Sequence, residues 1–486
     1  MEPHYDLIIR NGTLIDGTGQ PRFKADLAIR DGRIASIAAP GVLDAVRADG
    51  ELDATGRIVA PGFIDAHTHD DRLLLSAPDM APKVSQGVTT VVAGNCGVSR
   101  AQVRFRGRPP VPPLDLLDDE GGWFRFDTFH DYVEALEAGP AATNAVLLAG
   151  HSTLRVAVMD NLDRPASEAE AERMREMLDE ALSAGAIGLS TGLYYEPARA
   201  ATTEEVIEVA QPLAKHGGLY CTHMRNEGER VIDSLEETFR IGRELGVPVL
   251  VSHHKVLGRA NHGRSGETLA LIERTMRTQP VCLDCYPYDA SSTILTLERT
   301  RDATRTIVTW SRPLPQYAGR DLSAIAAELG VTEEQAVARL APAGAIYFSM
   351  DDADVQRILA FAETMVGSDG LPHDSAPHPR LWGTFPRVLG HYSRTLGLFP
   401  LETAVHKMTG LTARNFGLTD RGVLAAGAWA DLTVFDADTV DEAATFARPI
   451  APARGIDAVF VAGVAVWKDG AATGARPGRV LSREAA

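Results

Sequence analysis

Two histidines separated by a single residue, His67 and His69, stand in the segment PGFIDAHTHDD and are the first candidates for chemistry. Side chains two apart on a strand point to the same side, so both imidazoles can reach one metal ion. Imidazole nitrogen and cysteine thiolate are typical zinc ligands in proteins. Taken alone, such a pair is equally compatible with two unrelated polar residues at a strand end, so its significance depends on the rest of the chain.

Four further candidates stand at the ends of other short apolar runs. Cys96 ends TTVVAGNCG, His223 follows GLYCT, His253 follows PVLVS and Asp369 follows ETMVGS. If these runs are the strands of a barrel, their carboxyl ends converge on the face where active sites are built. Such a group predicts a zinc site that activates a water molecule, with Asp369 as the general acid/base.

Eight short apolar runs, most of them followed by an amphipathic stretch, predict the strands of a (β/α)8 barrel of the TIM type. The runs are RIVAPGFIDAHTH, TTVVAGNCG, NAVLLAGHS, AIGLSTGL, GLYCTHMR, PVLVSHHK, VCLDCYPY and ETMVGSDG. One helical partner, SEAEAERMREMLDEALSAG, begins with a serine N-cap and a glutamate three residues later. Between the seventh and eighth runs, helical patterns at about 290–345 predict a small helical insertion near the barrel mouth.

Both ends of the chain alternate apolar and polar residues between turns, a pattern typical of antiparallel β-structure. The pattern is present in YDLIIRNG and ADLAIRDG near the start, and in AWADLTVFDAD and AVFVAGVAVWKDG near the end. Neither end is long enough for a core of its own. We therefore expect residues 1–61 and 415–486 to form one small β-sandwich beside a catalytic barrel of residues 62–414.

Charge and composition exclude several classes of partner. The formal net charge of −17 argues against binding to nucleic acid or to an anionic membrane. The N-terminus lacks the pattern of a signal peptide, and the few cysteines fit a reducing compartment. We expect a cytoplasmic enzyme that acts on a small molecule, as a monomer or a small homo-oligomer.

Several longer motifs resemble those of a single enzyme family. They are PGFIDAHTHDD, GNCG at 94–97, STGLYY at 190–195, CTHMRNEG at 221–228, VSHHK at 251–255, YPYDASST at 286–293, and GSDGLPHD followed by HPRLWGTFPRVLGHY. Over essentially the whole chain, the sequence resembles the bacterial N-acyl-D-amino-acid deacylases, or D-aminoacylases, of the amidohydrolase superfamily. The resemblance implies zinc-dependent hydrolysis of N-acyl-D-amino acids to a carboxylate and a free D-amino acid. The D configuration rests on this resemblance alone.

The resemblance also implies how the candidate metal ligands divide. Cys96, His223 and His253 would hold a tightly bound zinc ion. His67 and His69 would belong to a second, weaker metal position. Many amidohydrolases bridge two metals with a carboxylated lysine, whereas this sequence offers a cysteine in its place.

For the substrate's α-carboxylate, the resemblance implies Lys255, Tyr286 and Ser292. The residues themselves support Lys255, because it lies two beyond His253 on the same face and a cation there suits a carboxylate. Arg380, in HPRLWG, is a further candidate, with a surface salt bridge as the alternative role.

For the substrate's side chain, the resemblance implies an apolar pocket formed by Tyr194 of the STGLYY motif, with its neighbour Tyr195, and by Tyr347 and Met350. Two arginines in TLERTRD, Arg299 and Arg301, leave an alternative open. An arginine in this pocket would select acidic side chains through bidentate pairing.

Two rival functions remain at the level of sequence. Ring opening of a hydantoin or dihydropyrimidine shares the fold and the histidine pair, but it normally requires a bridging lysine that AIGLSTGL lacks. A non-catalytic scaffold tends to lose its metal ligands, whereas all six candidates are present here.

Overall fold

The computed structural model describes residues 4–105, 109–118 and 120–483. The outermost residues of the two predicted terminal segments, 1–3 and 484–486, lie outside this range. The strands of the described residues are β1 (Tyr5–Leu14), β2 (Phe23–Arg30), β3 (Arg33–Ala38), β4 (Ala48–Asp53), β5 (Ile58–Pro61), β6 (Phe63–Asp65), β7 (Val88–Ala93), β8 (Asn144–Leu147), β9 (Ala149–Gly150), β10 (Gly188–Gly192), β11 (Leu219–His223), β12 (Val249–Val251), β13 (Val281–Cys285), β14 (Ala290–Ile294), β15 (Thr306–Ser311), β16 (Ala343–Phe348), β17 (Thr364–Val366), β18 (Leu432–Phe435), β19 (Ile456–Val461), β20 (Val464–Lys468), β21 (Ala471–Ala472) and β22 (Val480–Leu481).

Helices connect most of the strands that follow β6. They are α1 (Leu73–Ser76), α2 (Ala81–Val84), α3 (Phe129–Ala138), α4 (His151–Val158), α5 (Glu168–Ser183), α6 (Glu196–Arg199), α7 (Thr203–Ala210), α8 (Pro212–His216), α9 (Val231–Leu245), α10 (Ser265–Met276), α11 (Leu297–Asp302), α12 (Leu322–Leu329), α13 (Glu333–Leu340), α14 (Asp352–Ala360), α15 (Arg380–Arg387), α16 (Leu401–Met408) and α17 (Gly410–Phe416). The N-terminus of α5 carries the capping box predicted from its sequence, formed by Ser167 and Glu170. Within the described residues, no helix combines the length and apolar content needed to cross a bilayer.

Both ends of the chain contribute to one sheet. Strand β18 pairs with β5 in antiparallel fashion, and this contact joins β1–β5 to β18–β21 in a continuous nine-stranded sheet. Apolar residues from both ends, including Leu27, Val59 and Leu432, pack in one cluster against this sheet. The last strand, β22, leaves the terminal sheet and pairs in parallel with β8.

Each of the eight predicted runs contains a strand, and these strands pair in parallel. They form two hydrogen-bonded groups, in the orders β6-β7-β8-β22 and β9-β10-β11-β12-β13-β17. The third run supplies both β8 and β9, and the Ile187 N–H donates to Leu147 O at 2.9 Å to connect it with the fourth run. Between the first and eighth runs, the Ala66 N–H donates to Val366 O at 3.2 Å.

One apolar cluster draws side chains from all eight runs. It contains Ile64, Ala66, Val92, Val146, Leu148, Ile187, Leu219, Cys221, Leu250, Cys282 and Met365, together with residues of α17. Alternate residues of each strand point into this cluster, so the remaining residues point towards the surrounding helices. The carboxyl ends of the same strands carry the polar candidates described below.

The segment between β13 and β17 differs from its prediction. It was expected to be helical, and it does contain α11, α12 and α13. It also contains a three-stranded antiparallel sheet in the order β14-β16-β15. Strands β14 and β15 were missed because Ser and Thr in ASSTI and TIVTWS weaken the apolar alternation on which strand prediction depends.

Candidate active site

Six candidate residues predicted from five runs meet at the carboxyl ends of the parallel strands. His67 and His69 follow β6, Cys96 follows β7, His223 ends β11, His253 follows β12 and Asp369 follows β17. The donor atoms of His67, His69, Cys96 and Asp369 all lie within 4.8 Å of one another. The same limit holds for Cys96, His223 and His253, so the cysteine is common to both groups.

Sharp backbone turns bring three of these side chains inward. Cys96, His253 and Asp369 have positive φ angles of 54°, 37° and 50°. Residues other than glycine rarely adopt this conformation, which costs about 1–3 kcal/mol for each residue and is concentrated at functional sites. Gly94 precedes the first turn with φ +86°, and a Cβ at this position would lie 2.1 Å from Leu148 O. The first glycine of GNCG is therefore required by the close approach of two strands.

Cys96, His223 and His253 form the more compact group. The Cys96 Sγ lies 3.3 Å from His253 Nε2, which lies 2.9 Å from His223 Nδ1. One sulfur and two imidazole nitrogens are a donor set that zinc prefers, and three protein ligands leave a fourth position for water or substrate. The donor atoms present therefore fit a catalytic zinc ion.

The second group places His67 and His69 beside Asp369. His67 Nε2 lies 3.4 Å from Cys96 Sγ, and His69 Nε2 lies 3.1 Å from Asp369 Oδ1. Asp284, a residue not predicted from the sequence, lies behind this group. It accepts a hydrogen bond from the His253 N–H at 3.0 Å and approaches His67 Nδ1 at 3.6 Å.

The Asp369 carboxyl group is held in its ionised form. Burial alone would raise its pKa, but the Arg380 guanidinium, 2.9 Å away, and the neighbouring histidines lower that pKa well below its usual range. Arg380 is itself fully buried, so the surface salt bridge considered for it is wrong. It lies over the Tyr286 ring at 4.5 Å and donates to the backbone carbonyl of Ser292 at 3.2 Å.

A cavity above the metal ligands is lined by four of the nine predicted substrate-binding residues. Lys255, Tyr286, Ser292 and Tyr195 line it, together with Arg299. Tyr195 shares a hydrogen bond of 3.0 Å with Thr293, and its ring contacts His223 edge-on. One wall is apolar and is formed by Val98, Pro113, Leu116, Leu117 and Leu371.

Four predicted side-chain residues lie outside the lining of this cavity. Tyr347 packs inside the insertion, where its hydroxyl donates to Ile294 O at 2.7 Å. Met350 lies behind Tyr286, with its sulfur 3.7 Å from the tyrosine hydroxyl. Tyr194 and Arg301 line a neighbouring outer cleft, where Arg301 is exposed.

Two buried ion pairs near the site were missed in the sequence. Glu227 lies 2.7 Å from Lys255 Nζ, so the predicted carboxylate-binding lysine has a partner of its own. Lys83 lies 2.8 Å from Asp65 and donates to Ser368 Oγ at 2.8 Å. Glu227 could have been found from the sequence, because it follows His223 by four residues in the motif CTHMRNEG. Lys83 stands in a short helix, and no motif marks it.

Comparisons with known proteins identify the family and agree with the fold. The model of the amidohydrolase family matches residues 50–304 and 322–473. The D-aminoacylase of Alcaligenes xylosoxydans xylosoxydans is 59% identical over 482 residues, covering 99% of this chain and 98% of that protein. A solved D-aminoacylase structure with a binuclear metal center has a TM-score of 0.95 at 58% identity, covering 99% of this chain and 100% of that one.

A second solved structure carries a ligand. The N-acyl-D-glutamate deacylase of Bordetella bronchiseptica, complexed with zinc and a phosphonate inhibitor, has a TM-score of 0.93 at 46% identity. It covers 99% of this chain and 100% of that one.

Strands of the TIM-barrel type, an additional terminal sheet and a buried group of metal ligands define a metal-dependent hydrolase fold. The chain belongs to the amidohydrolase family and, within it, to the D-aminoacylase branch. The resemblance seen in the sequence motifs is thereby confirmed.

The four cysteines differ in how readily they ionise, and this generates a first prediction. Burial opposes ionisation of Cys96, but the charges of His253 and His67 lower its pKa well below the usual range. Burial raises the pKa of Cys282 to about 12 and that of Cys221 well above its usual value. In chelator-treated protein at pH 7, we expect iodoacetamide to alkylate Cys96 first, because the thiolate is the nucleophile.

Peptide mass spectrometry over a time course measures this selectivity. Zinc added before the reagent should slow alkylation of Cys96 and leave the other three cysteines unchanged. Equal alkylation of all four, or no effect of zinc, would contradict the assignment of Cys96 to the metal site.

Proposed function

We propose that this protein is a zinc-dependent N-acyl-D-amino-acid deacylase that releases a carboxylate and a free D-amino acid. The observation that carries the proposal is the position of the Cys96, His223 and His253 group beneath a cavity that also contains Lys255 and Asp369. A metal site beside a buried cation suits a substrate that has both an amide and a carboxylate.

We propose that Cys96, His223 and His253 hold the tightly bound zinc ion and that His67 and His69 belong to the weaker position. When bound, zinc acts as a Lewis acid that polarises the amide carbonyl and lowers the pKa of a water molecule. Cys96, as a thiolate, brings a negative charge to the site, and the imidazoles bind as neutral ligands.

Asp369 has the geometry and charge of the general acid/base. Its carboxylate is ionised and lines the cavity, so it can take the proton of the attacking water. The same group can then return this proton to the leaving nitrogen. Arg380 keeps the carboxylate oriented through its 2.9 Å contact with Oδ2.

Lys255, Tyr286 and Ser292 form the proposed site for the α-carboxylate. All three line the same cavity, and the centroid of the Tyr286 ring lies 5.7 Å from the Lys255 ammonium and 4.5 Å from the Arg380 guanidinium. The Lys255 ammonium and the hydroxyl groups of Tyr286 and Ser292 are hydrogen-bond donors that suit a carboxylate.

We also propose that the eight parallel strands close into a (β/α)8 barrel over residues 62–414. The Ala66 to Val366 hydrogen bond and the apolar cluster shared by all eight runs support closure. The terminal β-sandwich at residues 1–61 and 415–486, the cytoplasmic location, the absence of nucleic-acid and membrane partners and the monomeric or small oligomeric state remain predictions.

Replacing the proposed acid/base tests the mechanism. We expect Asp369→Asn to keep the tightly bound zinc and to lower turnover of N-acetyl-D-methionine by about 10²–10⁴-fold, since an amide cannot shuttle the proton. Zinc content by mass spectrometry and initial rates measure the two effects. The matched control is Asp374→Asn, a buried aspartate of the same loop that lies outside the cavity lining. Unchanged turnover in Asp369→Asn would remove Asp369 from the mechanism.

A second candidate, selectivity for acidic side chains, is favoured by Arg299. This guanidinium is buried, lines the cavity and donates to the Tyr194 hydroxyl at 3.0 Å, and no carboxylate of the described residues lies within ion-pair distance of it. The apolar residues that line the same cavity favour a leucine or methionine side chain of the substrate instead. The relative rates on N-acetyl-D-methionine, N-acetyl-D-glutamate and N-acetyl-D-aspartate distinguish a preference for apolar side chains from a preference for acidic ones. A large preference for glutamate would exclude the apolar preference.

The role of Arg299 can be tested against its neighbour. If Arg299 pairs with an acidic side chain, Arg299→Met should lower kcat/KM for N-acetyl-D-glutamate about 10–100-fold, because a hydrogen bond to a charged group contributes about 1.5–3 kcal/mol. The rate on N-acetyl-D-methionine should change little. Arg301→Met, an exposed arginine of the same helix, is the control and should match the unchanged enzyme. Equal losses on both substrates would exclude selective pairing by Arg299.

A further inference from the structure

A buried carboxylate, Glu227, lies behind the compact metal group. It stands in the loop between β11 and α9 and is 5% exposed. Its backbone is fixed on both sides, because its carbonyl accepts from the Leu257 N–H at 2.8 Å and the Asn226 side chain accepts from the Gly228 N–H at 2.9 Å. The position of this carboxylate is therefore set by the loop as well as by its ionic partners.

Glu227 faces the outer nitrogens of two metal-ligand candidates. Its Oε2 lies 3.4 Å from His223 Nε2, and its Oε1 lies 3.2 Å from His253 Nδ1. The opposite nitrogens of the same rings, His223 Nδ1 and His253 Nε2, are the atoms that approach each other and Cys96. One carboxylate thus contacts the far side of both imidazoles.

A carboxylate in this position can select which ring nitrogen carries the proton. A neutral imidazole binds a metal through its unprotonated nitrogen, and a carboxylate that accepts from the other nitrogen fixes that tautomer. At His253, Glu227 and Lys255 favour opposite tautomers, because the Lys255 ammonium also lies 2.8 Å from Nδ1. An ammonium can only donate, so acting alone it would favour the proton on Nε2, the nitrogen needed for the metal.

The same carboxylate also pairs with Lys255, at 2.7 Å. This contact neutralises the ammonium locally and holds it at the cavity wall, beside the proposed site for the α-carboxylate. Glu227 therefore connects the metal ligands with the substrate-binding residues, and it is not among the described residues that line the cavity.

We propose that Glu227 is a positioning residue that fixes the metal-binding tautomers of His223 and His253 and holds Lys255 at the substrate cavity. The proposal rests on the proposed function for the roles of zinc and Lys255. Glu227 acts through these three side chains, and its removal should alter zinc affinity and substrate binding separately.

Zinc affinity is the first test and does not depend on catalysis. We expect Glu227→Gln to weaken zinc binding about 10–100-fold in competition with a chromophoric chelator, the usual range for loss of an outer partner of a metal-bound histidine. Glu229→Gln, an exposed glutamate of the same loop, is the matched control and should bind zinc as the unchanged protein does. The cobalt-substituted proteins should show a shifted absorption spectrum for Glu227→Gln alone.

A double variant separates tautomer control from a merely structural role. If Lys255 favours the wrong tautomer once the carboxylate is lost, Glu227→Gln combined with Lys255→Met should recover part of the lost zinc affinity. A structural role predicts further loss instead. In the zinc-saturated single variant, KM for the N-acyl-D-amino acid should rise, because Lys255 is no longer held in place.

Unchanged zinc affinity and an unchanged cobalt spectrum in Glu227→Gln would overturn the proposal, as would further loss of zinc affinity in the double variant. These outcomes are distinct from failure of the proposed function. A protein that binds zinc but does not hydrolyse N-acyl-D-amino acids would disprove the function, while the zinc measurements would still decide the role of Glu227.

Discussion

Charge buried at the carboxyl ends of the strands must be paired, and this requirement organises the whole site. An isolated ion in a protein interior loses several kcal/mol of hydration, which only close partners can offset. Three such pairs surround the metal ligands: Asp369 with Arg380 at 2.9 Å, Glu227 with Lys255 at 2.7 Å, and Asp65 with Lys83 at 2.8 Å. Asp369, Glu227 and Lys255 follow parallel strands and Asp65 ends one, whereas Arg380 and Lys83 come from helices.

The Asp65 and Lys83 pair shows how this pairing reaches the catalytic groups. Asp65 Oδ1 accepts from the Ser368 N–H at 2.7 Å, and the adjacent Asp369 N–H donates to His67 O at 2.8 Å. The first and eighth runs are thereby joined at the point where the histidine pair meets the acid/base. Side chains held by several such contacts keep their geometry, which is what catalysis by fixed charges requires.

The convergence of the candidate ligands could be predicted from the sequence, because each one stands at the end of an apolar run and parallel pairing brings these ends together. The partners of these ligands are harder to predict. Lys83 reaches the site from a short helix that nothing in its local sequence marks, whereas Asp284 is a charged residue within the seventh apolar run, VCLDCYPY, and this signal was missed. The lining of the cavity was also hard to predict. Tyr347 and Met350 were expected to line it, but the pairing of β14 with β16 directs the Tyr347 side chain into the apolar core of the insertion. Arg299 and Arg301 are two residues apart, yet only Arg299 is buried, because helix α11 turns its neighbour to solvent.

The histidine pair that first identifies the site is therefore not the proposed site of the tightly bound zinc ion. In our account, His67 and His69 flank the acid/base, whereas Cys96, His223 and His253 hold the zinc ion on which turnover depends. The most direct test removes all metal with a chelator and restores zinc stepwise, while free amino acid released from paired D and L N-acetyl-methionine is measured. The account predicts no release without metal, and release from the D substrate alone that rises to a plateau near one equivalent of zinc. Full activity in the metal-free protein, or equal release from the L substrate, would contradict it.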